Sequence, residues 1–298
     1  MSNALCLTWL LSAGGEGPST APATAPAETG ISETAGYLQC TLIIIGIIFL
    51  AIWVIRRARR PGKLSLMDTP GRPNTLTALH VIPTFLFWLL TGEAAAYFLK
   101  FLPLEQDKVL LLAGAIRQLV CLPVLLTVGR LTFRHGLSRG MGLSMRHWGF
   151  DSLRGLFAML SVFPVCIGLA ELFGILFARI QPQWVQPHTL LTMLQGVSMG
   201  WKLTVALSAV ILAPVVEELL FRGLLQSMLR RYLNNPWHAV LLTAGIFALF
   251  HANTPQNIPA LFVLGAALGY NYERCGRLWP AILTHVLFNG AMVLIHII

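Results

Sequence analysis

The chain has 298 residues, of which 56% are hydrophobic and 11% charged. Soluble domains carry about 25% charged residues, so the composition excludes an ordinary soluble fold and indicates an all-α polytopic membrane protein. The net charge of +9 would point to nucleic acid in a soluble chain, but in a membrane chain Lys and Arg collect in cytoplasmic loops; no nucleic-acid partner is expected, and the lipid bilayer is the surroundings. Cys6, Cys40, Cys121, Cys166 and Cys275 have no paired spacing, so neither a disulfide framework nor a zinc motif follows from them.

Residues 1–36 divide into a signal-like apolar run, ALCLTWLLSAGG, and an Ala/Pro/Thr-rich stretch, EGPSTAPATAPAETG. The first lacks the positive segment that precedes a signal peptide's apolar run. The second cannot bury a core and is expected to be disordered. A first span is expected over 38–55. RRARRPGK follows it at 56–63 and should stay in the cytoplasm, which puts the N-terminus outside. Second and third spans are expected over 76–99 and 109–128, joined by KFLPLEQDK, a short link of mixed charge assigned to the outside. Arg130, Arg134, Arg139, Arg146 and Arg154 mark the next loop as cytoplasmic. A fourth span covers 156–177 and is followed by a polar, Pro-bearing external segment.

A fifth span begins near Leu203 and runs into PVVEELLFRG at 214–223. Residues 232–272 contain no Asp, Glu, Lys or Arg and hold two shorter spans broken near NTPQNIP. ERCGR at 273–277 returns the chain to the cytoplasm, and Pro280 opens the last span. The tally is about eight transmembrane helices in one bundle, with no repeat of the kind that marks an inverted-repeat transporter.

PVVEELLFRG places three charged side chains in this apolar setting. A charge at the bilayer centre costs about 2.5–3.5 kcal/mol on insertion scales, and the sequence reads EELLFR as the cytoplasmic end of the fifth span. Glu218 and Arg222 are four apart, so they share a helix face in the favourable order for an ion pair. Glu217 points about a hundred degrees away and has no partner nearby in sequence, which suits a group that takes a proton from water. Two later segments supply partners: FALFH sets Phe247 and His251 on one face, and HVLFN sets His285 and Asn289 on one face. Ionisable groups inside a membrane usually face the bundle interior and mark functional sites. If these converge, Glu217 would activate a water that His251 orients, while His285 and Asn289 donate to a developing oxyanion.

The three motifs resemble those of the CAAX prenyl protease and bacteriocin-processing (CPBP, or Abi) family of intramembrane proteases. Its pattern is EExxxR, FxxxH and HxxxN on successive membrane helices, and here it reads Glu217-Glu218 to Arg222, Phe247 to His251 and His285 to Asn289. The resemblance covers about residues 200–298 and divides the chain into the N-terminus (1–36), upstream helices with basic loops (37–199) and catalytic helices (200–298). It implies an intramembrane endopeptidase with Glu217, His251, His285 and Asn289 catalytic and Glu218, Arg222 and Phe247 supporting. The implied substrate is a peptide or protein, membrane-bound or prenylated, in CAAX-type or peptide-maturation processing. Both a metal-free glutamate mechanism and a metalloprotease mechanism stay open. One Glu and two His could hold zinc with an open position, with Glu217, His251 and His285 as candidates, although the spans carry no HExxH. The expected setting is a bacterial inner membrane, with the site facing the cytoplasm.

The alternative is a non-proteolytic membrane scaffold or bacteriocin-immunity protein of the same fold. A third reading uses these residues as a proton or ion relay in transport. GVSMG at 196–200 matches G-x-S-x-G, but that motif needs a strand-to-helix elbow, so Ser198 is read as coincidence. Glu93, Arg117 and Glu171 are expected to pair for stability or to line the bundle. Pro214 could loosen the fifth helix. A straight helix from the cytoplasmic face near Trp237 sets His251 about 20 Å deep, against about 9 Å for His285. RRYLNNPWHA is therefore expected not to be a simple short turn.

Overall fold

The computed structural model describes residues 33–59, 66–182, 185 and 198–297. Most of the N-terminus (1–32), part of the first basic block (60–65) and most of the segment that follows the fourth span lie outside these. The longer described helices are α1 (Glu33–Arg59), α2 (Ala78–Leu99), α3 (Gln106–Thr132), α4 (Trp148–Ile180), α5 (199–232), α6 (Pro236–Leu249), α7 (Ile258–Cys275) and α8 (Trp279–Ile297), with short π and 3-10 turns at Gly136–Met141 and Pro255–Asn257. Among the described residues there is no strand, and one isolated bridge joins Asn74 to Phe133.

Among the described residues five helices are long and apolar enough to cross a membrane: Leu38–Arg56, Ala78–Leu99, Gln106–Thr132, Trp148–Ile180 and Gly200–Tyr232. α6 and α8 are apolar but shorter. The apolar surface is exposed on a scale that water would not tolerate. Ile44, Ile47, Ile48 and Val54 of α1 all stand open, as lipid-facing side chains do. α5 is the opposite case, with Val216 to Leu224 buried without a break, because it runs through the middle of the bundle. α6 packs on α7, α2 on α3, and both α1 and α8 on α4.

The helix ends follow local chemistry. Asn235 caps α6 by accepting from the Trp237 N–H at 2.9 Å, and Pro236 at the first helical position needs no partner for a missing N–H. α7 stops at Gly276, whose φ of 65° is a left-handed conformation that suits glycine. Gly142, at φ 90°, lies against it, and its carbonyl accepts from the Leu278 N–H at 2.9 Å.

The segments read as cytoplasmic meet at one end. Glu273 accepts from Arg230 Nε at 3.0 Å and from Arg72 Nη1 at 3.4 Å, and Arg72 also donates to the Tyr272 carbonyl. Arg277 forks onto Asp151, with its shortest contact at 2.6 Å. Basic loops far apart in sequence thus share one end through ion pairs.

Candidate active site

α5 is not a uniform α-helix. Leu207–Leu212 and Leu219–Gln226 are wound more widely, as π-helix, a form that recurs at functional sites. The first has a cause in the sequence. The Ala213 N–H donates to the Ser208 carbonyl, a five-residue step. The next step would run from residue 214 to Ala209, but Pro214 has no N–H to give. Asn289 of α8 supplies the missing donor, its Nδ2 reaching the Ala209 carbonyl at 3.1 Å. Pro214 therefore loosens the helix as expected, and Asn289 acquires a structural bond that its sequence spacing did not reveal.

Glu217, Glu218 and Arg222 are fully buried. They are not at a helix end: α5 continues beyond Glu217 to Tyr232, about 22 Å of helix at 1.5 Å per residue. This corrects the reading of EELLFR as the end of the fifth span, and with it the expectation for RRYLNNPWHA. α5 ends at Tyr232 and α6 begins at Pro236, so the link is a short turn. α6 then climbs about 20 Å and delivers His251 to the level that α5 has left. His285 needs little of α8, because the α7–α8 turn is seated inward. Leu278 bonds to Gly142, and the adjacent Met141 packs on Gly223 of α5.

The motifs converge on Glu218. Arg222 Nη1 donates to Glu218 Oε1 at 2.7 Å, and His285 Nδ1 meets the same oxygen at 2.9 Å. Arg222 Nη2 donates to the Gly265 carbonyl at 3.1 Å, which fixes the guanidinium between α5 and α7. A carboxylate only accepts, so it orders the His285 ring by its Nδ1–H and turns Nε2 towards Glu217. That Nε2 lies 3.9 Å from Glu217 Oε2, beyond a direct hydrogen bond and in the range that one water bridges.

His251 stands at the C-terminal end of α6, buried, its Nδ1 held at 2.9 Å by the Phe247 carbonyl. The carbonyl takes the Nδ1–H, which leaves Nε2 as an acceptor when the ring is neutral. Phe247 joins the parts: its ring centroid is 5.7 Å from that of His285 and 5.0 Å from that of His251. The Arg222 guanidinium carbon lies over the Phe247 ring at 4.5 Å, a cation–π contact. Six motif side chains, Glu217, Glu218, Arg222, Phe247, His251 and His285, are thus gathered into one buried cluster, and Asn289, also buried, bonds to the Ala209 carbonyl of α5.

The other candidates fall elsewhere. Glu171 is exposed on α4. Arg117 is fully buried, with its guanidinium carbon 4.7 Å from the Trp88 ring centroid, and within electrostatic reach of both Glu93 and Glu217. A single Arg in an apolar span was the only signal for it. His80 caps α2, its Nδ1 accepting from the Thr77 N–H at 3.2 Å. Gly196 lies outside the described residues, and Ser198 is exposed at the start of α5.

Among the described residues no group of three or more His, Cys, Asp or Glu side chains is placed to hold a metal ion. Glu217 and His285 approach each other, but His251 does not complete a three-ligand set with them, as a catalytic zinc would require.

Residues 199–291 match the family model described as Type II CAAX prenyl endopeptidase Rce1-like. The matched segment contains all three motifs, and the likeness is to the family that the motifs indicated. The chain is also 25% identical over 178 residues to a protein of Bacillus subtilis (strain 168) named "Putative membrane peptidase YdiL", covering 60% of this chain and 67% of that one. No solved structure matches the chain. With its apolar helices, the chain is an all-α integral membrane protein with a protease-like segment over 199–291.

Proposed function

We propose that the chain is an intramembrane endopeptidase that hydrolyses a peptide bond with water activated by Glu217. The observation that carries this is the sharing of Glu218 Oε1 by Arg222 and His285, which leaves His285 Nε2 facing Glu217 across 3.9 Å. That arrangement gives two adjacent carboxylates different work. Glu218 orders the imidazole, and Glu217 is left to act on a water beside His285 Nε2.

In this reading Glu217 takes a proton from water as its oxygen bonds to the carbonyl carbon. His251 Nε2 accepts the other water proton in a hydrogen bond and sets its direction. Negative charge grows on the carbonyl oxygen. His285 donates to it from Nε2 as an imidazolium held against Glu218, and Asn289 donates with the Nδ2 hydrogen that Ala209 does not use. The carbon–nitrogen bond then breaks, and Glu217 returns the proton to the leaving amine. The substrate is a peptide or protein reached within the membrane, prenylated or otherwise membrane-bound. The clustering of the basic loops at one end supports an N-terminus outside; a site reached from the cytoplasm and a bacterial inner membrane belong to the same reading.

The test compares protein N-termini by mass spectrometry in cells that make wild-type or Glu217→Gln protein at equal membrane levels. New termini confined to wild type are the expected result. Identical termini with a phenotype that survives the substitution would replace the protease with a scaffold. Purified protein should keep its activity after exhaustive chelation. Loss of activity that added zinc restores would make Glu217, His251 and His285 metal ligands instead.

A further inference from the structure

The crevice between α1, α4 and α7 holds a cavity of about 800 Å³. No motif residue lines it. Its wall is apolar and aromatic. Trp53 of α1 meets Tyr270 of α7 edge-on at 6.4 Å, and Trp237 stacks on the same ring at 5.8 Å; Phe157 and Val165 of α4 continue the wall. From Phe150 to Val165 it follows α4 for about 22 Å at 1.5 Å per residue, more than the roughly 15 Å of hydrocarbon in one leaflet.

One end differs. Arg56, Arg154 and Arg274, from three separate helices, line the cavity there, and no Asp or Glu is among its lining residues. The nearby carboxylate of Asp151 is committed to Arg277. Arg154 donates to Cys275 Sγ at 3.2 Å, a weak acceptor. The three arginines lie at the end of the bundle where the basic loops gather.

We propose that this crevice binds an anionic glycerophospholipid from the leaflet beside the basic loops. One acyl chain lies along the apolar wall, and the phosphate sits among Arg56, Arg154 and Arg274. Guanidinium groups match phosphate oxygens in pairs, and basic pockets between membrane helices on the cytoplasmic side are where such headgroups are held. A zwitterionic lipid would bring a cation into the same cluster of arginines and be disfavoured. The site is separate from the peptidase reading and does not depend on it.

The test is native mass spectrometry of the full chain in detergent with phosphatidylglycerol, phosphatidylcholine of the same chains, or glycerol phosphate. Phosphatidylglycerol should be retained more firmly than phosphatidylcholine by about tenfold or more, and glycerol phosphate should not be retained. Arg154→Gln with Arg274→Gln should remove that preference without changing phosphatidylcholine retention. If that pair does not fold, Ala158→Phe, which narrows the apolar wall, should lower retention of both lipids. Glu217→Gln should leave lipid retention unchanged. Equal retention of the two lipids by wild type, or an unchanged preference in the arginine variant, overturns the proposal. Retention of glycerol phosphate alone would make this an anion site.

Discussion

Glu217 and Glu218 are neighbours in sequence, both fully buried, yet their surroundings separate them. Glu218 is bonded to Arg222 and His285 through one oxygen, whereas Glu217 faces His285 at 3.9 Å. Glu217→Gln should therefore lower turnover by about 10²–10⁴-fold, the usual worth of a general base, while the unfolding temperature in detergent stays near wild type. A large loss of stability in that variant would show that Glu217 is a structural charge. Arg222→Met takes the guanidinium away from buried Glu218 and should cost about 3–5 kcal/mol. Adding Glu218→Gln should recover much of that loss, because no buried charge then remains uncompensated. Denaturant unfolding of the two variants side by side decides it, and equal instability would mean that packing, not charge, is what Arg222 provides.

At the scale of an element, α5 owes its wide winding to Pro214 and its repair to α8. Asn289→Ala should leave the Ala209 carbonyl buried and unbonded, at about 1–3 kcal/mol. Pro214→Ala adds an N–H in register with that carbonyl. The double variant should therefore be more stable than the sum of its single effects, although activity stays low if Asn289 also donates to the oxyanion. Additive losses in thermal unfolding would sink this account of the helix. The 3.6-residue period made the Glu218–Arg222 pair legible, and it placed Phe247 with His251 and His285 with Asn289. It did not show that Asn289 spends a hydrogen on Ala209, because that need arises from a π turn on a different helix.

For the whole molecule, the loops read as cytoplasmic meet at one end through Glu273 with Arg72 and Arg230, and Asp151 with Arg277. Reporter fusions should follow this. Alkaline phosphatase joined after Glu105, in the α2–α3 link, should be active, and the same enzyme joined after Arg139 or Arg274 should be inactive. Activity after both Arg139 and Arg274 would invert the chain in the membrane. Activity after one of these two alone would contradict the shared end that the ion pairs describe.

The sequence by itself determined the membrane class and the order of the helices, and it singled out the seven motif residues. Hydropathy, loop charge and i,i+4 spacing are local properties, and a chain displays them before it folds. Depth and partnership are not local. Only the tertiary structure decided that Glu217 lies in the middle of α5, because the apolar run past Arg222 reads equally well as helix or as exit from the membrane. It also decided that His285 leans on Glu218, that Arg117 lies buried against Trp88, and that α1, α4 and α7 enclose a crevice with three arginines. Each of these joins residues far apart in the chain, and it is the packing of one helix on another that sets such distances.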